Sequence, residues 1–414
     1  MQTTDRNPGS TAAVSVIIPT FNRSGYLRVA LKSILNQTVP PSQIIVVNDG
    51  STDDTESVVR SFGSIVHCIT TSNSGKSAAL NLALPKTIGE FIWIFDDDDI
   101  ADPLSLGKFV DALRERPECG FAYGHYDHFS DDDGERPTRC RAVALPHVPE
   151  ESLHLAVMER CFIFQPGMLV RKSCYDAIGI FNENLLRSQD YEMLLRITRR
   201  YTGTKVDGIV FHQRQHSGTR GTSAVRIRPE ENSRRWMEYD QRFFRAIYCE
   251  RSLAEYLPGG CSAIAPDDEL ALTALLQRCC IMGRKGLWDF AAQDLEQAAD
   301  LARKRGIRRL TRPQRSILRR MLDGYSYGLA NMATAKAFRQ VLNGMESGGI
   351  GDDVRSALIW PLPHVAKRKL RKRQYSSAYD AAAAYLSLSS TRASARMIFE
   401  KIMERINNSA EPVY

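Results

Sequence analysis

No apolar run in this chain approaches the ~18 residues of a membrane span, so hydropathy gives no α-helical transmembrane segment. The opening stretch, Met1 to Thr11, has no apolar core, and a signal peptide is not expected. The nine cysteines contain no CxxC pair. Their odd number and scatter point away from a disulfide framework and toward a reducing, cytoplasmic compartment. A glycine-rich phosphate loop is also missing. Gly75-Lys76-Ser77 resembles the end of one, but the position five residues before Gly75, where that motif needs glycine, is Thr70.

What is present is an ordinary globular mixture, 43% hydrophobic and 25% charged over 414 residues. That length predicts two or three domains, each with its own core. Charge is uneven. From residue 221 onward there are 32 Lys and Arg against 21 Asp and Glu, a net of +11, which leaves −4 on the first 220 residues. An acidic half that holds a cation and a basic half that faces something anionic is the simplest interpretation.

The acidic half is organised around Phe91-Ile92-Trp93-Ile94-Phe95 running straight into Asp96-Asp97-Asp98-Asp99. The short aromatic run predicts a strand buried on both faces. Four adjacent carboxylates repel one another and need exposure, partners or a cation. The C-terminal end of a strand in an open α/β sheet supplies that setting, because ligands bind there. Asp102-Pro103 then reads as a helix start.

The preceding chain repeats strand and helix. Val14 to Ile18 predicts a strand and Pro19-Thr20-Phe21-Asn22-Arg23 a loop. Tyr26, Leu27, Ala30, Leu31, Ile34 and Leu35 then lie at helical spacing. Ile44 to Val47 predicts a second strand ending at Asn48-Asp49-Gly50. Ser51 or Thr52 is placed to cap the next helix, with Asp53, Asp54 and Glu56 at its positive end. A strand over 65–70 and a helix over 74–83 follow. This alternation predicts a parallel sheet with right-handed crossovers, which gathers the loops at Thr20–Asn22, Asn48–Gly50, Asn73–Gly75 and Asp96–Asp99 on one edge.

Later signals are sparser. Strands are expected over 120–126 and 206–213, an apolar segment over 161–170, and an amphipathic helix opening at Gln189-Asp190. His216 is open between ligand, phosphate contact and plain loop residue. Beyond residue 221 the pattern turns helical, over 234–256, 267–282, 288–304, 312–342 and 391–406. One helix hairpin near Trp288 is similar to a tetratricopeptide unit, without a second copy at a fixed period. Two basic clusters, Arg303–Arg320 and Lys367–Arg373, suit either a solvated face or an anionic membrane surface. They lack the interleaved aromatics of a single-strand platform, which disfavours nucleic acid.

Residues 14 to about 218 resemble a family 2 glycosyltransferase of the GT-A fold. The resemblance rests on Val14 to Arg23, Leu35-Asn36-Gln37-Thr38, Val46 to Asp53, Asn73, Gly75, Ser77, Ala79, Asn81, Asp96 to Asp99, and Gly179-Ile180-Phe181 through Gln189-Asp190 and Arg196. Two positions depart from the family pattern. Leu80 stands where many members carry Arg, and Gln189 where Glu is usual. The fold implied is an α/β Rossmann-like, mostly parallel sheet flanked by helices, followed by an all-α region. The division implied is a disordered 1–13, a catalytic domain over 14–220 (nucleotide part 14–125, acceptor part 126–220) and a helical 221–414.

The chemistry implied is inverting transfer from a nucleotide-sugar, a UDP-sugar first, to a hydroxyl acceptor in cell-surface polysaccharide or glycolipid synthesis. The acceptor is a saccharide, a lipid-linked saccharide or a protein, reached from the cytoplasm or the inner membrane face. Pro19, Thr20, Phe21, Asn22, Asp49, Asn73, Gly75, Lys76, Asp96 and Asp97 are the implied donor contacts. Asp98 and Asp96, with His216, are the implied ligands of Mg²⁺ or Mn²⁺, hard cations that suit oxygen donors. Asp190 is the implied base. Two alternatives stand beside this. A sugar-phosphate nucleotidyltransferase uses a similar sheet, but its Gly-rich first loop is represented here only by Gly25. A catalytically inactive sugar-nucleotide or membrane-binding module would not need Asp96, Asp98 and Asp190 together.

Overall fold

The computed structural model describes residues 14–130, 140–143, 145–215, 220–221, 226–227, 232–259, 267–323, 332–345 and 350–409. The chain forms two compact units, Met1–Val157 with Cys161–Tyr239, and Met158–Arg160 with Asp240–Tyr414.

The first unit runs β1 (Val14–Thr20), α1 (Ser24–Leu35), β2 (Gln43–Asn48), α2 (Thr55–Arg60), β3 (Val66–Thr70), α3 (Lys76–Ala83) and β4 (Phe91–Ile94). It continues with β5 (Ile100–Ala101), α4 (Ser105–Glu115), β6 (Phe121–Ser130), β7 (Arg141–Val143), α5 (Leu153–Glu159), β8 (Met168–Arg171), α6 (Lys172–Ile178), α7 (Gln189–Arg200) and β9 (Gly203–Gln215). A two-stranded ribbon, β10 (Arg220–Gly221) with β11 (Arg226–Ile227), stands apart from the sheet. The strand order is β3-β2-β1-β4-β8-β6-β9-β5, with β7 on β6. Six of the nine strands run one way, and β5, β7 and β8 oppose them. The sheet is thus mostly parallel and flanked by helices, as the alternating pattern required.

All seven residues of β1 are buried, because helices cover both faces of the sheet. Leu27, Ala30, Leu31 and Ile34 pack the inner face of α1. Trp93 is fully buried, edge-on to Phe95 and Phe109, and its indole N–H donates to the Pro166 carbonyl at 2.9 Å. Removing such a side chain costs about 3–5 kcal/mol. Register does the positioning. Thr20 pairs with Asn48, and Asn48 with Thr70, so the loops after β1, β2 and β3 leave the sheet side by side.

The second unit is helical. From the end of the first unit run α8 (Asn232–Glu250), α9 (Asp268–Arg284), α10 (Trp288–Arg305), α11 (Arg312–Met321), α12 (Met332–Gly344), α13 (Ile350–Ile359), α14 (Leu362–Arg371), α15 (Tyr375–Leu388) and α16 (Thr391–Ser409). Cys279 and Cys280 are buried core thiols on α9, and burial pushes both up. Gly283 lets α9 approach α11, since a Cβ there would lie 2.9 Å from Met321 Sδ. The single helix expected over 312–342 is interrupted: α11 ends at Met321, ahead of Asp323-Gly324, and α12 begins at Met332. The apolar segment over 161–170 yields strand only from Met168, because Gln165-Pro166-Gly167 makes a 3₁₀ turn. Helices α13 to α15 were not expected. Prolines 361 and 363 mask a helix start, where proline fits the first turn. Among the described residues, no helix is long and apolar enough to cross a membrane.

Candidate active site

The Asp96–Asp99 run turns sharply after β4, with the Asp99 N–H 3.4 Å from the Asp96 carbonyl. Each carboxylate has a partner, and two of them share one. Asp97 accepts from Thr20 Oγ1 at 2.7 Å and from Arg23 Nη1 at 3.0 Å. Asp98 accepts from the same Arg23 nitrogen at 2.7 Å. Asp96 accepts from Lys76 Nζ at 2.5 Å, and Asp99 from the Arg214 amide at 2.9 Å. The Arg214 side chain returns from β9 to the Asp98 carbonyl and lies over the rings of Tyr26 and Phe129. Burial pushes the Asp97 carboxyl up, opposed by the Arg23 charge beside it. Arg23 in turn is held firmly charged, chiefly by Asp97.

Asp96, Asp98 and Asp99 each offer a carboxylate oxygen, all within 4.8 Å of one another. Three hard oxygen donors with no sulfur or imidazole fit Mg²⁺ or Mn²⁺. The trio therefore keeps Asp96 and Asp98 and adds Asp99, while Asp97 turns to Thr20 and Arg23. His216 lies outside the described residues. A second metal-capable set joins Asp127, Cys140 and His212. Asp127 pairs with His212 across β6 and β9, and a 2.7 Å hydrogen bond between Asp127 Oδ1 and His212 Nδ1 satisfies both groups without an ion.

The loops after β1, β2 and β3 latch together beside this turn. The Asn22 side chain accepts from the Thr52 amide at 2.7 Å, with Asn22 itself in the left-handed region. Phe21 is half-buried and Pro19 and Thr20 are buried. Asp49 is buried and spends both oxygens on backbone, accepting from the Ser74 and Gly75 amides at 2.8 Å each. Burial pushes its carboxyl up and those two amides pull against it. Each oxygen keeps one further acceptor position. Gly50 makes the approach feasible: its φ is +79°, and a Cβ there would lie 2.9 Å from the Asn73 amide nitrogen. The expected Ser51 or Thr52 cap does not form. Asp54 occupies the N-cap without a side-chain bond, and Asp53 instead accepts from Thr55 and from the Ser24 amide at 2.9 Å.

Lys76 opens α3, behind Gly75 at φ +92°. Burial works against its charge, but Asp96, Asp190 and Asp98 outweigh that and hold its pKa above the ordinary value. The field of Lys76 thus joins the Asp run to Asp190. Asp190 sits half-buried in the first turn of α7, after Ser188 in the left-handed conformation, and its Oδ1 accepts from the Tyr191 amide at 2.9 Å. Asn81 clamps the preceding stretch, donating to the Phe181 carbonyl at 3.0 Å and accepting from its amide at 2.8 Å. Arg196 ties α7 to the carbonyls of Ile178 and Ile180. Gln189 is buried, and its Oε1 has no hydrogen-bond partner among the described residues.

The structure brings Thr20, Asp49, Gly75, Lys76, Asp96, Asp97 and Asp98 into one connected set of contacts, and Asp190 acts on Lys76 through its charge. Sequence reasoning did not single out Arg23 or Arg214, and it placed Asp99 in the acidic run without naming it as a cation ligand. Arg23 was visible only as a cation three residues beyond the first strand's exit. Arg214 arrives from 115 positions further along, with no local signal.

Residues 15–178 match the sequence model of glycosyl transferase family 2. An uncharacterized glycosyltransferase of Rickettsia felis is 30% identical over 229 residues, 55% of this chain and 38% of that protein. The putative teichuronic acid biosynthesis glycosyltransferase TuaG of Bacillus subtilis is 32% identical over 123 residues, 29% of this chain and 48% of that protein. The chain therefore spans less than half the length of either relative. The crystal structure of S. aureus TarS 1–349 in complex with UDP-GlcNAc aligns over 90% of both chains, at 15% identity and a TM-score of 0.43. Over residues 15–178 the chain is thus similar in sequence to glycosyl transferase family 2.

Proposed function

We propose that this chain transfers a sugar from a nucleotide-sugar, a uridine nucleotide first, to a hydroxyl acceptor with inversion at the anomeric carbon. One observation carries the reading: Lys76 bonds Asp96 of the acidic turn and is also held charged by Asp190, so one cation is shared electrostatically by the acidic turn and the candidate base. The loops latched by Asp49 and Asn22 form the wall for base and ribose. Phe21, half-buried at the exit of β1, is the ring available to that base. Lys76 and Arg23 supply positive charge beside the diphosphate. Asp96, Asp98 and Asp99 would hold Mg²⁺ or Mn²⁺, which when bound neutralises charge on the departing nucleoside diphosphate. Asp190 takes the proton from the acceptor hydroxyl as that oxygen attacks. A positioned base of this kind is worth about 10²–10⁴-fold. The acceptor is a saccharide, free or carried on lipid or protein, of the sort used in cell-surface polysaccharide synthesis.

The test is a panel of nucleotide-sugars, scored for release of nucleoside diphosphate with and without Mn²⁺. Diphosphate release from one donor supports the reading. Release of pyrophosphate from a nucleoside triphosphate and a sugar phosphate would replace it with nucleotidyl transfer. Tight donor binding with no product from any donor would leave a sugar-nucleotide binding module.

A further inference from the structure

The two basic clusters of the second unit differ in what surrounds them. In the first, most cations are consumed internally. Arg305 pairs with Asp268 at 2.9 Å and Arg309 with Asp353 at 3.4 Å. Arg315 and Arg319 both reach Glu400. In the second cluster Arg368 turns back to the Asp323 carbonyl at 3.2 Å, and the other cations are surrounded by little acid. Residues 362–388 hold six Lys and Arg against one acid, Asp380. Among the described residues, no carboxylate lies within ion-pairing distance of Lys369, Arg371, Lys372 or Arg373.

These cations lead directly into an apolar face. Arg373, in the left-handed conformation at φ +57°, and a 3.0 Å bond from the Gln374 amide to the Lys369 carbonyl make the tight turn from α14 to α15. On α15, Ala378, Ala381, Ala384 and Leu388 are buried against the unit. The opposite face carries Tyr375, Tyr379 and Leu386, which with Ala382 recur at helical spacing. They are 66%, 73% and 75% exposed. Leu370 adds a further half-exposed side chain at the basic end of α14. A surface helix normally turns polar residues outward. Here the outward stripe is apolar and aromatic, and at its margin lie Lys369, Arg371, Lys372 and Arg373, without a carboxylate partner among the described residues.

We propose that the α14–α15 hairpin docks this protein on an anionic membrane surface. Lysines and arginines match lipid phosphates, while tyrosine rings suit the headgroup boundary, where one end of the side chain is apolar and the other wet. Leucine and alanine on the same stripe enter an acyl layer but give no platform for stacked bases, which favours lipid over single-stranded nucleic acid. A second copy of the chain fits less well, because a two-fold contact through this stripe would bring two sets of six cations together. Docking does not depend on the proposed transfer reaction and is measurable without any donor.

The experiment is vesicle sedimentation of the full chain at two salt concentrations. One set of vesicles is phosphatidylcholine alone, the other phosphatidylcholine mixed with phosphatidylglycerol. Binding is expected only to the anionic set, weakening as salt screens the charges. Lys369→Gln with Lys372→Gln should lower it roughly tenfold or more, at about 1 kcal/mol per cation near the surface. Tyr375→Ser with Leu386→Ser should lower it at both salt concentrations, leaving mainly a salt-sensitive remainder. Lys372, Tyr375 and Leu386 are exposed and Lys369 is half-buried, so unchanged thermal melting is the expected control for folding. Equal binding to neutral vesicles, or binding unaffected by both pairs of substitutions, would overturn the proposal. So would self-association abolished by Leu386→Glu, or preferential capture of a single-stranded oligonucleotide over anionic vesicles.

Discussion

Arg23 donates through one nitrogen to both Asp97, at 3.0 Å, and Asp98, at 2.7 Å. The guanidinium therefore occupies a carboxylate that belongs to the candidate cation trio. Cation binding at Asp98 must compete with that bond. A hydrogen bond to a charged group contributes about 1.5–3 kcal/mol, so Arg23→Gln should tighten Mn²⁺ binding by roughly tenfold or more in the absence of nucleotide. With nucleotide present the gain should shrink, since the released guanidinium is then available to the diphosphate. Calorimetric Mn²⁺ titration of wild type and Arg23→Gln, with and without uridine diphosphate, checks this. Unchanged or weaker Mn²⁺ binding without nucleotide would make Arg23 a support for the trio and not its competitor.

Asp49 acts through the chain it holds. Asp49→Ala removes both acceptors for the Ser74 and Gly75 amides and should weaken nucleotide binding by about 1.5–3 kcal/mol. Asp49→Asn keeps one acceptor but faces a donor amide with its own N–H₂ group, so it should recover only part of the loss. Gly50→Ala should mimic Asp49→Ala without touching a polar group, because its Cβ would collide with backbone at Asn73 and strain a positive φ. Mn²⁺ binding should change little in all three. Isothermal titration with uridine diphosphate is the measurement, and wild-type affinity in Asp49→Ala would place the nucleotide away from these loops.

Much of this site was legible before the fold was known, and the reason is local. Parallel strands must return by crossovers, so strand-ending polar residues at Thr20, Asn48 and Asp96 had to share an edge. Gly50 and Gly75 lie in the loops of that edge, and the structure gives both a positive φ. What stayed hidden was long-range. Arg214 reaches the Asp98 carbonyl only because β9 runs beside β6 and β5, a pairing with no sequence signature. Asp99 gained its place in the trio from the sharp turn over Asp96, not from an alternating pattern. In the helical unit, proline at 361 and 363 hid a helix start, and the pairing of Arg315 and Arg319 with a distant Glu400 was invisible to a count of local charge.

Asp53 makes stability beside the site depend on acid. Burial disfavours its charged form, but bonds from Thr55 and the Ser24 amide outweigh that, and its carboxyl lies below the ordinary 3.8. A depressed carboxylate contributes stability that is fully present above the unfolded value and lost as pH falls through the folded one. The melting temperature of wild type should therefore exceed that of Asp53→Ala at neutral pH and down to about pH 4. The difference should then close as the solution is acidified below the unfolded carboxylate value. Paired melting curves across that range test the sign. A gap that widens on acidification would mean Asp53 stabilises the loops in its protonated form.

Asp190→Asn should preserve the fold and donor affinity and lose transfer. The carboxylate lies in the first turn of α7, half-buried, with its Oδ1 bonded to the Tyr191 amide, and its charge helps keep Lys76 protonated. Asparagine is nearly isosteric and still accepts from that amide, so melting should shift little. It cannot accept a proton at neutral pH, and the acceptor hydroxyl would have to attack un-ionised. A fall of about 10²–10⁴-fold in kcat with unchanged donor Kd is the expected result. Lys76→Met separates the base from its neighbour: it should weaken diphosphate binding, raising donor Kd while reducing kcat less than Asp190→Asn does. Donor hydrolysis serves as the readout until an acceptor is found. If Asp190→Asn turns over within a few-fold of wild type, Asp190 is a helix-terminal carboxylate with no part in proton transfer. The role would then pass to another carboxylate at the same edge, Asp99 first.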